Sequence, residues 1–173
     1  MSRNSLPLLI LDLDETLVHS IRKDDPMLDM VPFNWIGHPD VMETEHHWVK
    51  KRPWLDEFLD FAKGAYRIAV WTVATEDYAM SILDRIMDSV TLEFVKTRKD
   101  CMFRGSGYVK PVSSLEGYDF DDIYIVDDKP DVIDGVHPIN INMANLIVIK
   151  PFFGSDKDQE LKETARELWS RYR

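Results

Sequence analysis

The sequence predicts a doubly wound, mostly parallel α/β sheet with a small loop or β-hairpin insertion and no large cap. Two observations lead there. Short, almost unbroken apolar runs, such as residues 6–13 and 123–126, end in acids, as strands buried on both faces of a parallel sheet do. Between such runs lie segments whose apolar residues recur at helical spacing, and strands alternating with helices define an α/β domain. The 173 residues fall within the size of one domain, so a single unit over 1–173 is expected, with the insertion at about 21–51.

The first run places Asp12 and Asp14 at the carboxyl end of a strand. From residue 21 to 51 the pattern breaks up: Pro26, Pro32, Gly37 and Pro39 forbid a long helix, while Val31, Phe33, Trp35 and Val49 supply scattered apolar anchors. Pro53 suits a first helical position, and Trp54, Leu55, Phe58, Leu59 and Ala62 recur at helical spacing before Gly64, giving a helix over 53–63. Residues 67–73 read as a buried strand. Thr75, Glu76 and Asp77 then offer a capping oxygen and negative charge to a helix whose inner stripe is Tyr78, Ala79, Ile82, Leu83 and Ile86.

A further strand is expected at 91–95. Gly105, Ser106 and Gly107 turn a hairpin that returns through Tyr108 to Lys110. Short strands follow at 123–126, ending in Asp127 and Asp128, and at 146–149. From Asp156 onward Leu161, Ala165, Leu168, Trp169 and Tyr172 mark the inner side of a closing helix.

Composition excludes several classes. With 45% hydrophobic and 30% charged residues the chain is neither disordered nor fibrous. The longest apolar run, residues 8–11, is far below the ~18 residues of a membrane span, and no basic, apolar leader opens the chain. A soluble intracellular protein, cytoplasmic or nuclear, is expected, without membrane contact. Cys101 is the single cysteine, so an internal disulfide is impossible and a structural role is expected. A formal charge of −10 argues against direct, sequence-independent nucleic-acid binding. Lys50, Lys51 and Arg52 form either a local phosphate pocket or, as short basic runs more often do, a solvated face.

In open parallel sheets ligands bind beyond the carboxyl ends of the strands. Three polar clusters converge on that edge: Asp12 with Asp14, Thr72, and Asp127 with Asp128; a loop brings Lys110 to them. Two acids two positions apart at a strand end can face one site. Asp12 fits a nucleophile that takes a phosphoryl group, and Asp14 an acid that protonates the leaving oxygen and then a base toward water. Four carboxylates in one pocket call for a cation, and Mg2+ suits an all-oxygen donor set. Lys110 and the Thr72 hydroxyl would hold phosphate oxygens. Taken singly, each acid reads as a turn or cap residue and Lys110 as a surface charge; it is the joint arrangement that points to phosphoryl transfer. His46 and His47 are adjacent, which disfavours a zinc site and leaves them exposed or pocket-lining. His19 is expected to support its loop by hydrogen bonding.

The stretch DLDETLVHS at residues 12–20 resembles the signature of the haloacid dehalogenase superfamily, in its small C-terminal-domain phosphatase (NLI-interacting factor-like) branch. KRPWLDEFL at 51–59, WTVATEDYA at 71–79, CMFRGSGYVK at 101–110 and VDDKP at 126–130 resemble its later motifs in order. The resemblance implies a Rossmann-like fold and an Mg2+-dependent phosphatase acting through an aspartyl-phosphate. Asp12 would be the nucleophile, Asp14 the acid and base, and Thr72 and Lys110 the phosphate holders. Asp128, Asp12 and the main-chain carbonyl of Asp14 would ligate the metal, with Asp127 orienting Lys110 or a metal-bound water. Thr16 would fix the first loop, and Arg98 matches a family arginine near the phosphate. The substrates implied are phosphoserine and phosphothreonine in proteins, including the tail of RNA polymerase II.

The chain departs from that pattern at Asp128, where relatives often carry asparagine, and at Ala74 and Thr75, which replace a small hydroxyl residue and an apolar residue of the substrate groove. Thr75 weakens the expectation of a proline-containing phosphopeptide, and Phe33, Trp35 and Val49 would build a different pocket. The chain starts almost at the first motif and stops after the closing helix, so no appended recruitment domain is expected. Three functions remain open: a phosphoprotein phosphatase, a small-molecule or nucleotide phosphomonoesterase enclosed by the insertion's aromatics, and a catalytically silent binding module. Oligomeric state is not legible.

Overall fold

The computed structural model describes residues 6–25, 32–134 and 145–171. At its centre lies a five-stranded sheet built from β1 (Leu8–Leu11), β5 (Arg67–Trp71), β6 (Leu92–Lys96), β9 (Ile123–Asp127) and β11 (Leu146–Val148). The strand order is β11-β9-β1-β5-β6 and every neighbouring pair is parallel. The chain leaves β1 toward β5 and β6 on one side and later returns to β9 and β11 on the other. The order therefore reverses at β1, where such sheets open a crevice at their carboxyl edge.

All four residues of β1 are essentially inaccessible, and their alternation divides the core in two. Leu9 and Leu11 join Val70, Val126 and Ile147 on the face covered by the three helices: α1 (Leu55–Ala65), α2 (Glu76–Ile86) and α3 (Glu160–Arg171). Leu8 and Ile10 join Ala69, Trp71, Ile123 and Ile125 on the opposite face. Among the described residues, that face is covered by Val112, Ile133 and their neighbours between β6 and Asp134. Both faces are thus buried, which accounts for the apolar continuity of β1; truncating Leu11 to alanine would cost roughly 2–5 kcal/mol.

The insertion is a second, antiparallel sheet of β2 (Val18–Arg22), β3 (Val41–Glu43) and β4 (His47–Lys51), in the order β2-β4-β3. It begins at Val18, earlier than the composition break at residue 21. A hairpin of β7 (Met102–Arg104) and β8 (Gly107–Pro111) turns through Gly105, whose φ of 59° favours glycine. β8 in turn pairs with β10 (Ile133–Asp134), opposite Lys110 and Pro111.

Several boundaries differ from expectation. α1 starts at Leu55 because Trp54 caps it in the left-handed region (φ 70°), and Gly64 lies within the helix instead of ending it. Thr75 precedes α2 but its side chain makes no capping bond; the hydroxyl belongs to the surface groove described below. β5 ends at Trp71 and β6 runs to Lys96. In α3 the inner side is Leu161, Thr164 and Leu168. Trp169 is 59% exposed, with its ring meeting that of Phe61 edge-on at 6.3 Å. Val49 is fully buried, and Trp35 is covered, with Gly154 against its indole, so neither forms the expected pocket wall. Pro26, Val31 and Tyr172 lie outside the described residues. Among the described residues no helix is long and apolar enough to cross a membrane.

Candidate active site

Asp12 follows β1 directly, and its amide donates to Val126 O at 3.0 Å, so the first residue past β1 is tied to the end of β9. A tight turn comes next. Leu17 N donates to Leu13 O at 2.9 Å and Glu15 N to Val18 O at 2.8 Å, with Glu15 held at φ 60°. A left-handed glutamate is costly, roughly 1–2 kcal/mol, and its neighbours hold it there. Arg52, buried, donates to the carbonyls of Glu15 (3.2 Å), Thr16 (3.0 Å) and Lys150 (2.6 Å) and forms a two-pronged pair with Asp158 at 2.8 and 2.9 Å. His19 Nδ1 lies 3.1 Å from Glu15 Oε1, the loop support expected of it. The Thr16 hydroxyl is buried without a hydrogen-bond partner among the described residues, so it is the carbonyl of Thr16, through Arg52, that ties the turn.

Lys50 and Arg52 thus form neither the phosphate pocket nor the solvated face that the sequence offered. Lys50 is buried and binds Asp156 at 2.5 Å, Arg52 binds Asp158, and Lys51 pairs with Asp56 at 3.0 Å. All three are matched to acids, Lys51 to one in the first turn of α1, and Lys50 and Arg52 anchor the segment that leads into α3.

At the centre of the site, Lys110 Nζ bridges Asp12 Oδ1 at 2.6 Å and Asp127 Oδ2 at 2.5 Å. Burial disfavours its charge, but the two carboxylates outweigh it and hold the ammonium above its usual pKa. Asp127 uses its other oxygen to accept from the Lys129 amide at 2.8 Å. Burial and the charge of Asp12 nonetheless push Asp127 up to about 7, against the pull of Lys110, because one ammonium cannot neutralise two carboxylates. Asp128 is raised by burial, opposed by a loose ion pair with Lys129 at 3.9 Å.

Carboxylate oxygens of Asp12, Asp127 and Asp128 lie within 4.8 Å of one another. Lys110 is bonded to Asp12 and Asp127, and Lys129 reaches Asp128 only at 3.9 Å, which leaves the cluster short of positive charge. An all-oxygen set with that deficit fits a hard divalent cation such as Mg2+. With both oxygens of Asp127 engaged by protein donors, Asp12 and Asp128 are the better-placed carboxylates to hold it.

Asp14 faces the other way. Burial, with a smaller contribution from Asp12, pushes its pKa up to about 7, although a hydrogen bond from the Tyr78 hydroxyl works against the rise. That hydroxyl lies between Asp14 Oδ1 and Ser20 Oγ, the latter at 2.5 Å. Burial and the neighbouring Asp14 raise the Tyr78 pKa, so it stays protonated and donates. Tyr78 was legible only as part of the α2 inner stripe; the one available signal was a tyrosine, rather than a plain apolar residue, one turn after Thr75.

Thr72, buried beyond β5, accepts the Ala74 amide at 3.1 Å through Oγ1, which leaves its hydroxyl proton to donate. Arg98 is set further out. Its Nε donates to Val73 O at 2.8 Å and its guanidinium lies 5.3 Å over the Tyr108 ring. Arg98 shares with Asp14 the lining of a groove of about 570 Å³, whose walls include His46 and His47. Cys101 is partly buried, with its thiol 3.5 Å from Thr97 O and its pKa raised by burial, which suits a structural residue better than a nucleophile.

Comparison with known proteins matches this arrangement to one family. The model of the NLI interacting factor-like phosphatases matches residues 7–170. A probable C-terminal domain small phosphatase of Dictyostelium discoideum is 34% identical over 90% of this chain and 47% of its own length. The phosphatase Herzog of Drosophila melanogaster is 32% identical over 90% of this chain and 41% of its own. The chain thus spans less than half the length of these relatives. A structure of the fission yeast RNA polymerase II CTD phosphatase Fcp1 bound to beryllium fluoride has the same fold, with a TM-score of 0.63 at 23% identity over 96% of this chain and 50% of that one. The order of motifs, the parallel sheet and the family model agree: this chain belongs to the NLI interacting factor-like phosphatase family, the branch of the haloacid dehalogenase superfamily that its motifs resemble.

Proposed function

We propose that this protein hydrolyses phosphomonoesters through an aspartyl-phosphate on Asp12, with phosphoserine or phosphothreonine in proteins as substrate. The observation that carries the reading is the shared ammonium of Lys110, bonded to both Asp12 and Asp127, beside a second acid, Asp14, whose pKa is about 7. A carboxylate oxygen of Asp12 attacks phosphorus, the ester P–O bond breaks, and the leaving oxygen takes the proton of Asp14. A pKa near 7 suits both this donation and the return step, in which Asp14 takes a proton from water as that water attacks phosphorus and frees Asp12. Lys110 and the Thr72 hydroxyl hold the phosphoryl oxygens in line, Asp127 orients Lys110, and Arg98 meets the substrate at the rim. Tyr78 is a positioning residue: by donating to Oδ1 it fixes the orientation of the Asp14 carboxyl.

Asp12, Asp128 and the main-chain carbonyl of Asp14 would hold Mg2+, which would neutralise phosphoryl charge. A protein substrate is supported by the open groove beside Asp14 and by relatives named as C-terminal domain phosphatases. Enclosure of a small metabolite called for the insertion's aromatics; of these Trp35 is buried and does not line the groove, and the side chain of Phe33 lies outside the described residues. The test is magnesium-dependent turnover of an aryl phosphate and of a phosphoserine peptide. Asp12→Asn is expected to abolish both, by at least ~10³-fold, with an unchanged circular dichroism spectrum; retained turnover rejects the mechanism, and activity on metabolites alone rejects the substrate.

A further inference from the structure

The outer flank of α1 and α3 holds an apolar groove that shares no residue with the site around Asp12. It measures about 360 Å³ and is walled by Trp54, Phe58 and Phe61 from the α1 side and by Leu161, Ala165 and Trp169 from α3. Both indoles reach solvent, Trp169 at 59% exposure and Trp54 at 38%. Trp54 is held there at φ 70°, a backbone region that disfavours side chains. Two exposed tryptophans bordering an apolar hollow are the kind of anchors that protein interfaces bury. Three charges stand on the rim: Glu57, Lys162 and Arg166. Arg166 is already paired with Glu163 at 2.7 Å. Among the described residues Glu57 has no ion pair, and Lys162 meets no acid, its ammonium resting 4.6 Å over the Trp54 ring. Glu57 and Lys162 thus border one groove without bonding each other.

One unpaired acid and one unpaired base beside an apolar hollow select the occupant. A partner surface of a single sign would satisfy one of them and set a like charge against the other. A second copy related by a two-fold axis satisfies both, because each contact in such an interface occurs twice: Glu57 of either copy meets Lys162 of the other. The patch is also balanced in charge, with Glu57 and Glu163 against Lys162 and Arg166. On a chain of formal charge −10, a balanced apolar patch is where two copies meet with least repulsion. We propose that this groove is a homodimer interface, in which the two copies pack α1 and α3 across a two-fold axis, bury Trp54 and Trp169, and exchange Glu57–Lys162 pairs. The helices have 11 and 12 residues, so the shared face is only about 16–18 Å long. That is a small interface, and the dimer is correspondingly weak. Neither helix flank takes part in the chemistry at Asp12, so association and turnover are separable.

The experiment is sedimentation velocity of the full chain from ~1 to ~200 μM, a range that spans weak association. It compares the wild type with Trp169→Ala, Glu57→Lys, Lys162→Glu and the double variant Glu57→Lys with Lys162→Glu. Circular dichroism checks the fold of each; all three positions lie on the helix surface, and the double variant restores the charge pattern in reverse. The wild type should pass from one chain mass to twice that mass as concentration rises. Trp169→Ala should raise the dissociation constant at least ~10-fold, as loss of a buried tryptophan anchor does. Each single reversal should weaken the dimer by roughly tenfold, since it sets like charges together at two places, and the double variant should recover it. A wild type that stays monomeric over the whole range overturns the proposal, as does a dimer untouched by Trp169→Ala or a double variant no better than the single reversals. Addition of neutral phosphatidylcholine vesicles to the wild type tests the other occupant: binding that requires Trp169 in a chain that never dimerises assigns the groove to a lipid surface and overturns the dimer.

Discussion

At Asp14 the chemistry of a single carboxyl meets the stability of the fold. Its ordinary pKa of 3.8 is pushed to about 7, chiefly by burial, so between those values the folded chain holds a proton that the unfolded chain has lost. Stability therefore falls as pH rises through that window. Asp14→Asn removes this loss while keeping an oxygen to accept from Tyr78. Without metal, the variant should gain on the wild type between pH 4 and pH 8, reaching on the order of 1–3 kcal/mol in urea unfolding; a variant that falls behind over that range contradicts the assignment. Acids at strand ends were legible because a buried strand cannot continue through a carboxylate. The partners of Asp14 were not. The ring of Tyr78 shares the period of a core stripe, and only the packing of α2 brings its hydroxyl to Asp14 and Ser20. Arg52 likewise read as part of a basic run, and the acid that binds it, Asp158, lies 106 residues further on.

Among the elements, the five strands of the central sheet followed from apolar continuity, while their order across the sheet and the helix ends did not. Proline and glycine suggested a helix over 53–63, yet Trp54 takes the left-handed cap and α1 continues through Gly64 to Ala65, because Ala62, Ala65 and Tyr66 are buried in the same core. Gly64 has no atom within 4 Å of where a Cβ would stand, and its φ is not positive. Gly64→Ala should therefore stabilise the protein by about 0.5–1 kcal/mol, read as a higher urea midpoint at unchanged slope; a lower midpoint would mean that the glycine is needed for the packing of α1. The insertion shows a different limit. Its prolines announced a loop or a β-hairpin, whereas the three-stranded sheet depends on β2 and β4 pairing across a stretch that local pattern does not bridge.

For the molecule as a whole, residues 1–173 are proposed to act as one domain, and the acidic centre links metal to stability. Asp12 and Asp127 share Lys110, and Asp128 stands within 4.8 Å of them, so Mg2+ should raise the melting temperature without substrate and sharpen a single unfolding transition; at a hundred times its dissociation constant the gain is about 2.7 kcal/mol. A chelator should reverse the shift, and Asp128→Ala should blunt it. Net charge and length bounded the class of molecule, and the ordered motifs gave the family. The groove beside Asp14 emerged only when β2, β4 and the segment after β6 came together. The central claim is the covalent phosphate on Asp12, and its most direct test is borohydride reduction of the protein during turnover, followed by peptide mass spectrometry. The account predicts conversion of residue 12 to homoserine that requires both substrate and Mg2+. Sustained turnover with Asp12 unmodified, or with reduction at another acid, would contradict it.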